Sequence, residues 1–349
     1  MERQMNPLRC LVGMCFLLGT CYAQLPEYYQ TINRVTWLSE NIDGILPAWT
    51  ALGITDIHKP AKLKAVGTDH GKPTTIETWQ ATGRLGNLTV NFLQPGFFRP
   101  DILQSDPGQR NSYNDFLKKH KDGIFAVVHE VPSREAMDKE IHRMARLGVS
   151  VLQQVTFEID GAAVTYTYFD TEPQGKYVLG LVYWPGGAPK PLEQKTVSHL
   201  ALVVRDAAAV SSFWQKLGLP GFEVEHATPR DDSRYRGQAL LLAFDVGFQR
   251  MGAISYEWIQ PPSTPANIYA DFLKLHGEGI QHIGMPVDDL SKATAAYEKL
   301  GFAMWQAGAW GDIGKPNSGQ YHYMDTDKIG GVSAELIRAY QEAMPEQGF

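Results

Sequence analysis

Four times along the chain a short apolar run, with the look of a strand, leads into a helical pattern that stops at a glycine. INRVTWL leads to Gly53, GIFAVV to Gly148, VSHLALVV to Gly218 and GIQHIGMPV to Gly301. In the third unit Asp206 is placed to cap a helix whose buried face is Val210, Phe213, Trp214 and Leu217, and Gly218 closes it. The fourth repeats this with Asp289, Ala293, Tyr297, Leu300 and Gly301. Three more strand-like segments follow each helix, such as GQALLLAFDVG and GAISYEWIQP in the third unit. The order strand, helix, strand, strand, strand predicts an α+β protein of four βαβββ modules.

The modules come in two pairs. DFLKKHKDGI at 115–124 recurs as DFLKLHGEGI at 271–280, a shift of 156, and YTYFDTEPQG at 166–175 recurs as YHYMDTDKIG at 321–330, a shift of 155. NFLQP at 91–95 answers EWIQP at 257–261, a shift of 166. Three blocks in one order amount to a duplication. From Arg34 to Gly53, His199 to Gly218 and His282 to Gly301 the separation is 19 residues each time, so the unit has a fixed geometry.

The first residues change the picture of the chain's ends. Arg3 and Arg9 precede an apolar run from Leu11 to Leu18, followed by Cys21-Tyr22-Ala23, the pattern of a secretory signal peptide cleaved after Ala23. The run falls well short of the roughly 20 residues needed to span a bilayer. The expected organisation is therefore a signal peptide at 1–23, a first two-module domain at 24–192 and a second at 193–349, in a protein exported to the periplasm or beyond. All three cysteines, Cys10, Cys15 and Cys21, lie in the segment expected to be lost, which excludes thiol and disulfide chemistry. The remainder holds 30 basic against 37 acidic residues, a net charge of −7, so nothing attracts nucleic acid or an anionic membrane. A small-molecule substrate is the expected partner; the oligomeric state is not legible.

Candidate chemistry sits inside the strand patterns. Side chains alternate across a strand, so His199 shares a face with Ala201, and His282 with Gly284. Each histidine has a small neighbour on its own face, which leaves room for an ion. The last strands of the same two modules carry single carboxylates among apolar residues, Glu257 in AISYEWI and Glu335 in VSAELI. A carboxylate buried there is costly unless paired or coordinated. Two imidazoles and two carboxylates at equivalent places in sister modules predict one divalent cation shared by all four. The aromatic residues Trp258, Trp305, Trp310, Tyr321 and Tyr323 are candidates to line the pocket around it.

These residues resemble the vicinal oxygen chelate superfamily, which includes glyoxalase I, methylmalonyl-CoA epimerase, extradiol dioxygenases and 4-hydroxyphenylpyruvate dioxygenase. GEGIQHIGMPVDDL is especially similar to the second module of the epimerase-like branch, and the resemblance is strongest over 195–340. It implies four modules paired into two half-open barrels, with metal ligands in the first and last strands of the second pair: His199, Glu257, His282 and Glu335. The implied cofactor is one divalent ion (Zn, Ni, Co, Mn or Fe). Glyoxalase-like members use a ligand glutamate as base, a role that falls to Glu335 or Glu257. The separate base of the epimerases falls at Leu240, which cannot serve. Laid on the second half, the first presents Arg34, Asn91, Ala126 and Gly180 at the ligand positions and is expected to be metal-free. The resemblance implies an isomerase, epimerase or lyase working by proton abstraction beside a metal-bound carbonyl. Its alternatives are an iron(II) dioxygenase, with Tyr323 near the active-site tyrosine, and a protein that only binds a small molecule.

Overall fold

The computed structural model describes residues 25–58, 60–96, 111–230 and 232–341. The expected signal segment, 1–23, lies outside the described residues. After a short 3-10 helix (Glu27–Tyr29), the first module runs β1 (Arg34–Leu38), α1 (Ile42–Ala51), β2 (Ala61–Asp69), β3 (Lys72–Leu85) and β4 (Leu88–Pro95). Helix α2 (Ser112–His120) leads to the second: β5 (Gly123–Glu130), α3 (Arg134–Arg146), β6 (Val151–Ile159), β7 (Ala162–Phe169), the one-turn α4 (Glu172–Gly175) and β8 (Val178–Tyr183). The third holds β9 (His199–Val203), α5 (Ala207–Lys216), β10 (Glu225–Ala227), β11 (Arg234–Tyr235), β12 (Gln238–Ala239), β13 (Phe244–Met251) and β14 (Ile254–Gln260). Helix α6 (Ile268–Leu275) then joins the fourth: β15 (Gly279–Pro286), α7 (Leu290–Lys299), β16 (Met304–Trp310), β17 (Ser318–Met324) and β18 (Ser333–Tyr340).

The module helices begin and end as their sequences dictate. Asn41, Ser133, Asp206 and Asp289 each accept a hydrogen bond from the backbone N–H three residues on. Gly53, Gly148, Gly218 and Gly301 stand at φ between +83° and +113°, where a side chain is strained. No helix among the described residues is long and apolar enough to cross a membrane.

The two halves differ in closure. The first is a closed barrel in the order β1-β4-β3-β2-β6-β7-β8-β5, sealed by β2 against β6 from Ala65↔Phe157 to Asp69↔Gln153. Only the second half keeps the half-open form: β10-β13-β14-β9-β15-β18-β17-β16-β11-β12 ends without returning on itself. The cause lies in the third module. GQALLLAFDVG does not form one strand; Leu240 to Ala243 leave the sheet between β12 and β13, and β11 pairs with β16 instead. The edge strand β10 is three residues long, too short to meet β16.

A large apolar cluster lies outside the two sheets, under the helices and between the halves. Its packing is reciprocal. Trp49 on α1 donates to the Ile329 carbonyl, and Trp214 on α5 donates to the Gly175 carbonyl, one residue from the matching place in the other half. This is the two-way contact of an isologous dimer, here within one chain.

Candidate metal centre

Register brings the four sequence-identified residues together. In β14 and β9, Ser255 lies beside His199 and Glu257 beside Ala201; in β15 and β18, His282 lies beside Ser333 and Gly284 beside Glu335. The antiparallel pair β9 and β15 sets Gly284 against His199 and His282 against Ala201. All four side chains therefore project from one concave face. One ligand atom from each lies within 4.8 Å of the others, a group that could hold a metal ion.

The distances are those of atoms converging on a common point. His199 Nε2 is 2.9 Å from Glu335 Oε2 and 3.2 Å from Glu257 Oε2, and His282 Nε2 is 3.2 Å from Glu257 Oε2. The two imidazole nitrogens are 3.3 Å apart. Glu335 Oε2 is buried without a well-aligned hydrogen bond despite its near neighbours. Such an orphaned carboxylate oxygen among facing nitrogens fits a cation better than a hydrogen-bond network.

Electrostatics tie the four into one unit. Burial alone would lower the His199 imidazole, but Glu257 and then Glu335 push it up to about 10. His282 is raised in the same way against its own burial, chiefly by Glu335. Burial would raise both carboxylates, yet His199 holds Glu257 down and His282 holds Glu335 well below the usual carboxylate range. The protons shared among these atoms are what a cation displaces on binding.

Neighbours fix the ring positions. A Cβ on Gly284 would stand 2.2 Å from His199 Cε1, so the small residue makes space for the imidazole itself. His282 Nδ1 lies 2.6 Å from Gln281 Oε1, the kind of contact that orients a ligating histidine. Gln281 is the extra residue of a bulge between Ile280 and His282, which turns its side chain toward its neighbour. The sequence reading missed it; the signal was an amide inside an apolar strand next to His282.

The aromatic candidates separate. Tyr323, opposite Glu335, sets its ring edge-on to His282 at 4.9 Å and shares a 2.9 Å hydrogen bond with Tyr269 of α6. With Leu240 and Phe272 this pair closes one end of the concave face. Tyr321 lies on the same face toward the other end, its hydroxyl over Gly308, where a Cβ would come within 2.3 Å. Trp305 packs beside the β11–β12 hairpin with the Arg236 guanidinium 5.0 Å from its ring. Trp310 covers Gly319. Trp258 is a correction: it follows Glu257 in β14, so alternation turns it to the opposite face, fully buried and stacked on Phe222 at 5.4 Å. It does not share the face of His199, Glu257, His282 and Glu335.

Residues 198–315 match the Glyoxalase/Bleomycin resistance protein/Dioxygenase superfamily. The C-terminal half carries a vicinal oxygen chelate domain. A mutant 4-hydroxymandelate synthase from Streptomyces coelicolor is similar in structure over 91% of this chain and 94% of its own, at 15% identity and a TM-score of 0.58. The fold thus extends over both halves. A Mn(II)-bound glyoxalase from Novosphingobium aromaticivorans aligns over 90% of this chain and 84% of its own, at 16% identity and a TM-score of 0.44. Methylmalonyl-CoA epimerase from Mycobacterium tuberculosis aligns over 41% and 87%, at 19% identity and a TM-score of 0.30. No curated protein matches the chain in sequence.

The first half shows what replaces a centre of this kind. Its strand pairs repeat the register, with Arg34↔Thr89, Thr36↔Asn91, Ala126↔Val178 and Val128↔Gly180, so Arg34, Asn91, Ala126 and Gly180 do stand at the four ligand positions. Tyr168 fills the space: a Cβ on Gly180 would meet its ring at 3.0 Å, and Thr36 shares a 3.2 Å hydrogen bond with its hydroxyl. Phe125, at the bulge position that Gln281 holds in the other half, packs against Tyr168 at 5.1 Å. The segment joining the halves crosses the end of this barrel. Its Pro189 and Lys190 carbonyls accept from Arg34 and Arg84, and its Ala188 N–H donates to Glu130. Asn87, the first residue of an Asn-Leu-Thr triplet, uses its amide to hold Thr196 and Val197 of the same segment.

Proposed function

We propose that the protein is a divalent-metal-dependent enzyme of the vicinal oxygen chelate type, exported from the cytoplasm. Its reaction is proton abstraction next to a carbonyl of a small hydroxy- or oxo-compound, as an isomerase, epimerase or lyase. The observation that carries this reading is the convergence of His199, Glu257, His282 and Glu335 on the concave face of the half-open sheet. A divalent ion held by them supplies Lewis acidity toward a carbonyl oxygen.

The chain's own groups do the rest. Leu240 is buried among apolar neighbours, which leaves Glu257 and Glu335 as the carboxylates at hand for the role of base. One of them takes a proton from the carbon beside the carbonyl and returns it to the same or the adjacent carbon, or, in a lyase, to the group that leaves the adjacent carbon as the double bond forms, so no oxidant is consumed. Tyr323 and Tyr269 keep water from one end of the site. An iron(II) oxygenase is the second reading. Against it stands the fourth ligand: two histidines and one carboxylate are the usual oxygen-activating set, and a second carboxylate occupies a position oxygen or substrate needs.

Metal analysis of the purified protein, followed by incubation of the loaded protein with candidate 2-hydroxy and 2-oxo acids in deuterated water, tests the proposal. About one divalent ion per chain and deuterium incorporation at the carbon beside the carbonyl support it. Oxygen uptake with iron(II) and catechols transfers support to the second reading. Absence of any bound divalent ion under replete conditions overturns both.

A further inference from the structure

We infer that Arg250 is the substrate-anchoring residue of this centre, and that the substrate carries a carboxylate at the end remote from its metal-binding oxygens. The inference rests on the reading of the centre above. Arg250 pairs with Ser255 in β13 and β14, and Ser255 lies beside His199 in β9. Phe248, two residues earlier and opposite Glu257, shares the concave face with Arg250 and sets its ring 6.4 Å from that of His199. Both are exposed, whereas the other residues on the same strand, Gln249 and Met251, are buried under α5. Arg250 therefore stands at the open end of the face, two strands from His199 or roughly 10 Å between backbones.

The duplication shows what an arginine does at this place. Arg84 occupies the equivalent position in the first half, opposite Thr89, which itself lies beside Arg34. Arg84 donates to the Asp56 carboxylate at 2.8 Å and to the Lys190 carbonyl at 2.8 Å. The position is thus built to capture a carboxylate and a carbonyl oxygen. In the second half the residue three beyond the helix-closing glycine, Asp56 in the first, is Gly221. Among the described residues Arg250 has no carboxylate partner and no hydrogen bond through its guanidinium. The receptor is kept and its internal carboxylate is gone, which leaves the fork of donors to a ligand. Phe248, beside Arg250 on β13 and with its ring near His199, gives that ligand an apolar wall for its middle.

Length-matched hydroxamates on the Zn(II)-loaded protein test this by calorimetry. Succinohydroxamic acid and butyrohydroxamic acid present the same chelating group, and only the first ends in a carboxylate. The native protein should prefer succinohydroxamate by about 10- to 100-fold, the range of a charge-assisted contact. Arg250→Gln should bring that ratio close to one without changing butyrohydroxamate affinity or zinc content, and Arg250→Lys should restore part of it. A ratio near one in the native protein, or one that survives Arg250→Gln, overturns the inference while leaving the metal centre standing. A protein that takes up no zinc and binds neither hydroxamate overturns both.

Discussion

His120 and His276 exchange backbone hydrogen bonds across the junction of the two halves. His120 Nδ1 lies 2.5 Å from the His276 carbonyl oxygen, and His276 Nδ1 lies 2.6 Å from that of His120. Each ring turns its Nε2 to a carboxylate of its own half, Glu172 at 2.9 Å and Asp327 at 3.2 Å. Both come from the duplicated DFLKxH block, and both carboxylates follow a duplicated Asp-Thr pair. A cavity of about 20 Å³, large enough for one water, lies beside the rings.

Removing one ring breaks one of the two hydrogen bonds of this clasp and the ion pair behind it. His276→Ala deletes the donor to His120 O and leaves Asp327 without its imidazole, at a cost of about 1–3 kcal/mol. Thermal unfolding should shift down by roughly 2–4 °C per kcal/mol for cooperative units near 150 residues. The double variant His120→Ala/His276→Ala should cost less than the sum of the singles, because the two separate hydrogen bonds span one junction and losing either loosens the geometry the other needs. Additive losses would show that each ring acts only within its own half.

The same clasp sets a pH window. Burial would lower His276, but Asp327 and the His120 carbonyl raise it above 6.5 in spite of Lys121 nearby. Its contribution is full below pH 6.5 and is lost as pH rises through the raised folded value. Glu172 runs the other way: burial would raise it, and His120 and Lys119 hold it down to about 2. Its contribution is present above 4.5 and lost as pH falls toward 2. The difference in melting temperature between native protein and Asp327→Asn should therefore be greatest near pH 5 to 6 and shrink toward pH 9. A difference that grows with pH would contradict the assignment.

Gly284 controls the centre sterically. Any Cβ there stands 2.2–2.6 Å from three atoms of the His199 ring, in a fully buried strand pair. Gly284→Ala should cost about 1–3 kcal/mol as overpacking, or push His199 off the other ligands. Metal content measured on the folded variant should fall, whereas Gly308→Ala, which meets only the end of Tyr321, should retain the ion.

How much of this was legible beforehand follows from what periodicity can and cannot carry. Alternation in VSHLALVV and GIQHIGMPV, with the repeat shifts, placed the four candidate ligands and the residues at the equivalent positions of the first half in the register the strands adopt. The same alternation turns Trp258, beside Glu257, to the opposite face, so an aromatic side chain next to a candidate ligand is not by itself a pocket residue. Closure of the first barrel depends on β2 meeting β6, a contact between distant segments without a local signature. Gln281 and Phe125 owe their inward turn to bulges, which break the period that sequence reading relies on. The clasp of His120 and His276 needs both halves folded, although its two copies stand openly in the repeat.

The contrast between the halves gives a paired substitution. His282→Ala should abolish stoichiometric metal binding, because it removes one of four convergent ligands and leaves two carboxylates facing each other. Arg34→Ala, at the position of His199 in the first half, should leave metal content unchanged and loosen the segment it holds through Pro189. Inductively coupled plasma analysis reads the first effect, and faster amide exchange at residues 186–192 reads the second. Loss of metal from Arg34→Ala would mean that the first half contributes to the centre after all.

Gln281 offers the most discriminating test of the centre, because it touches none of the other three ligands. Its Oε1 accepts from His282 Nδ1, which turns the ring so that Nε2 is the atom aimed at Glu257 and Glu335 and the one a cation would take. Gln281→Leu keeps the volume and removes the acceptor, so the ring loses its fixed tautomer and orientation. Metal affinity should fall about 10- to 100-fold, the usual effect of losing a partner behind a ligating histidine. Gln281→Glu should keep the acceptor and hold affinity near native or above it. Chelator competition on the folded variants measures both, and equal affinity for Gln281→Leu and native protein would leave the bulge with a packing role only.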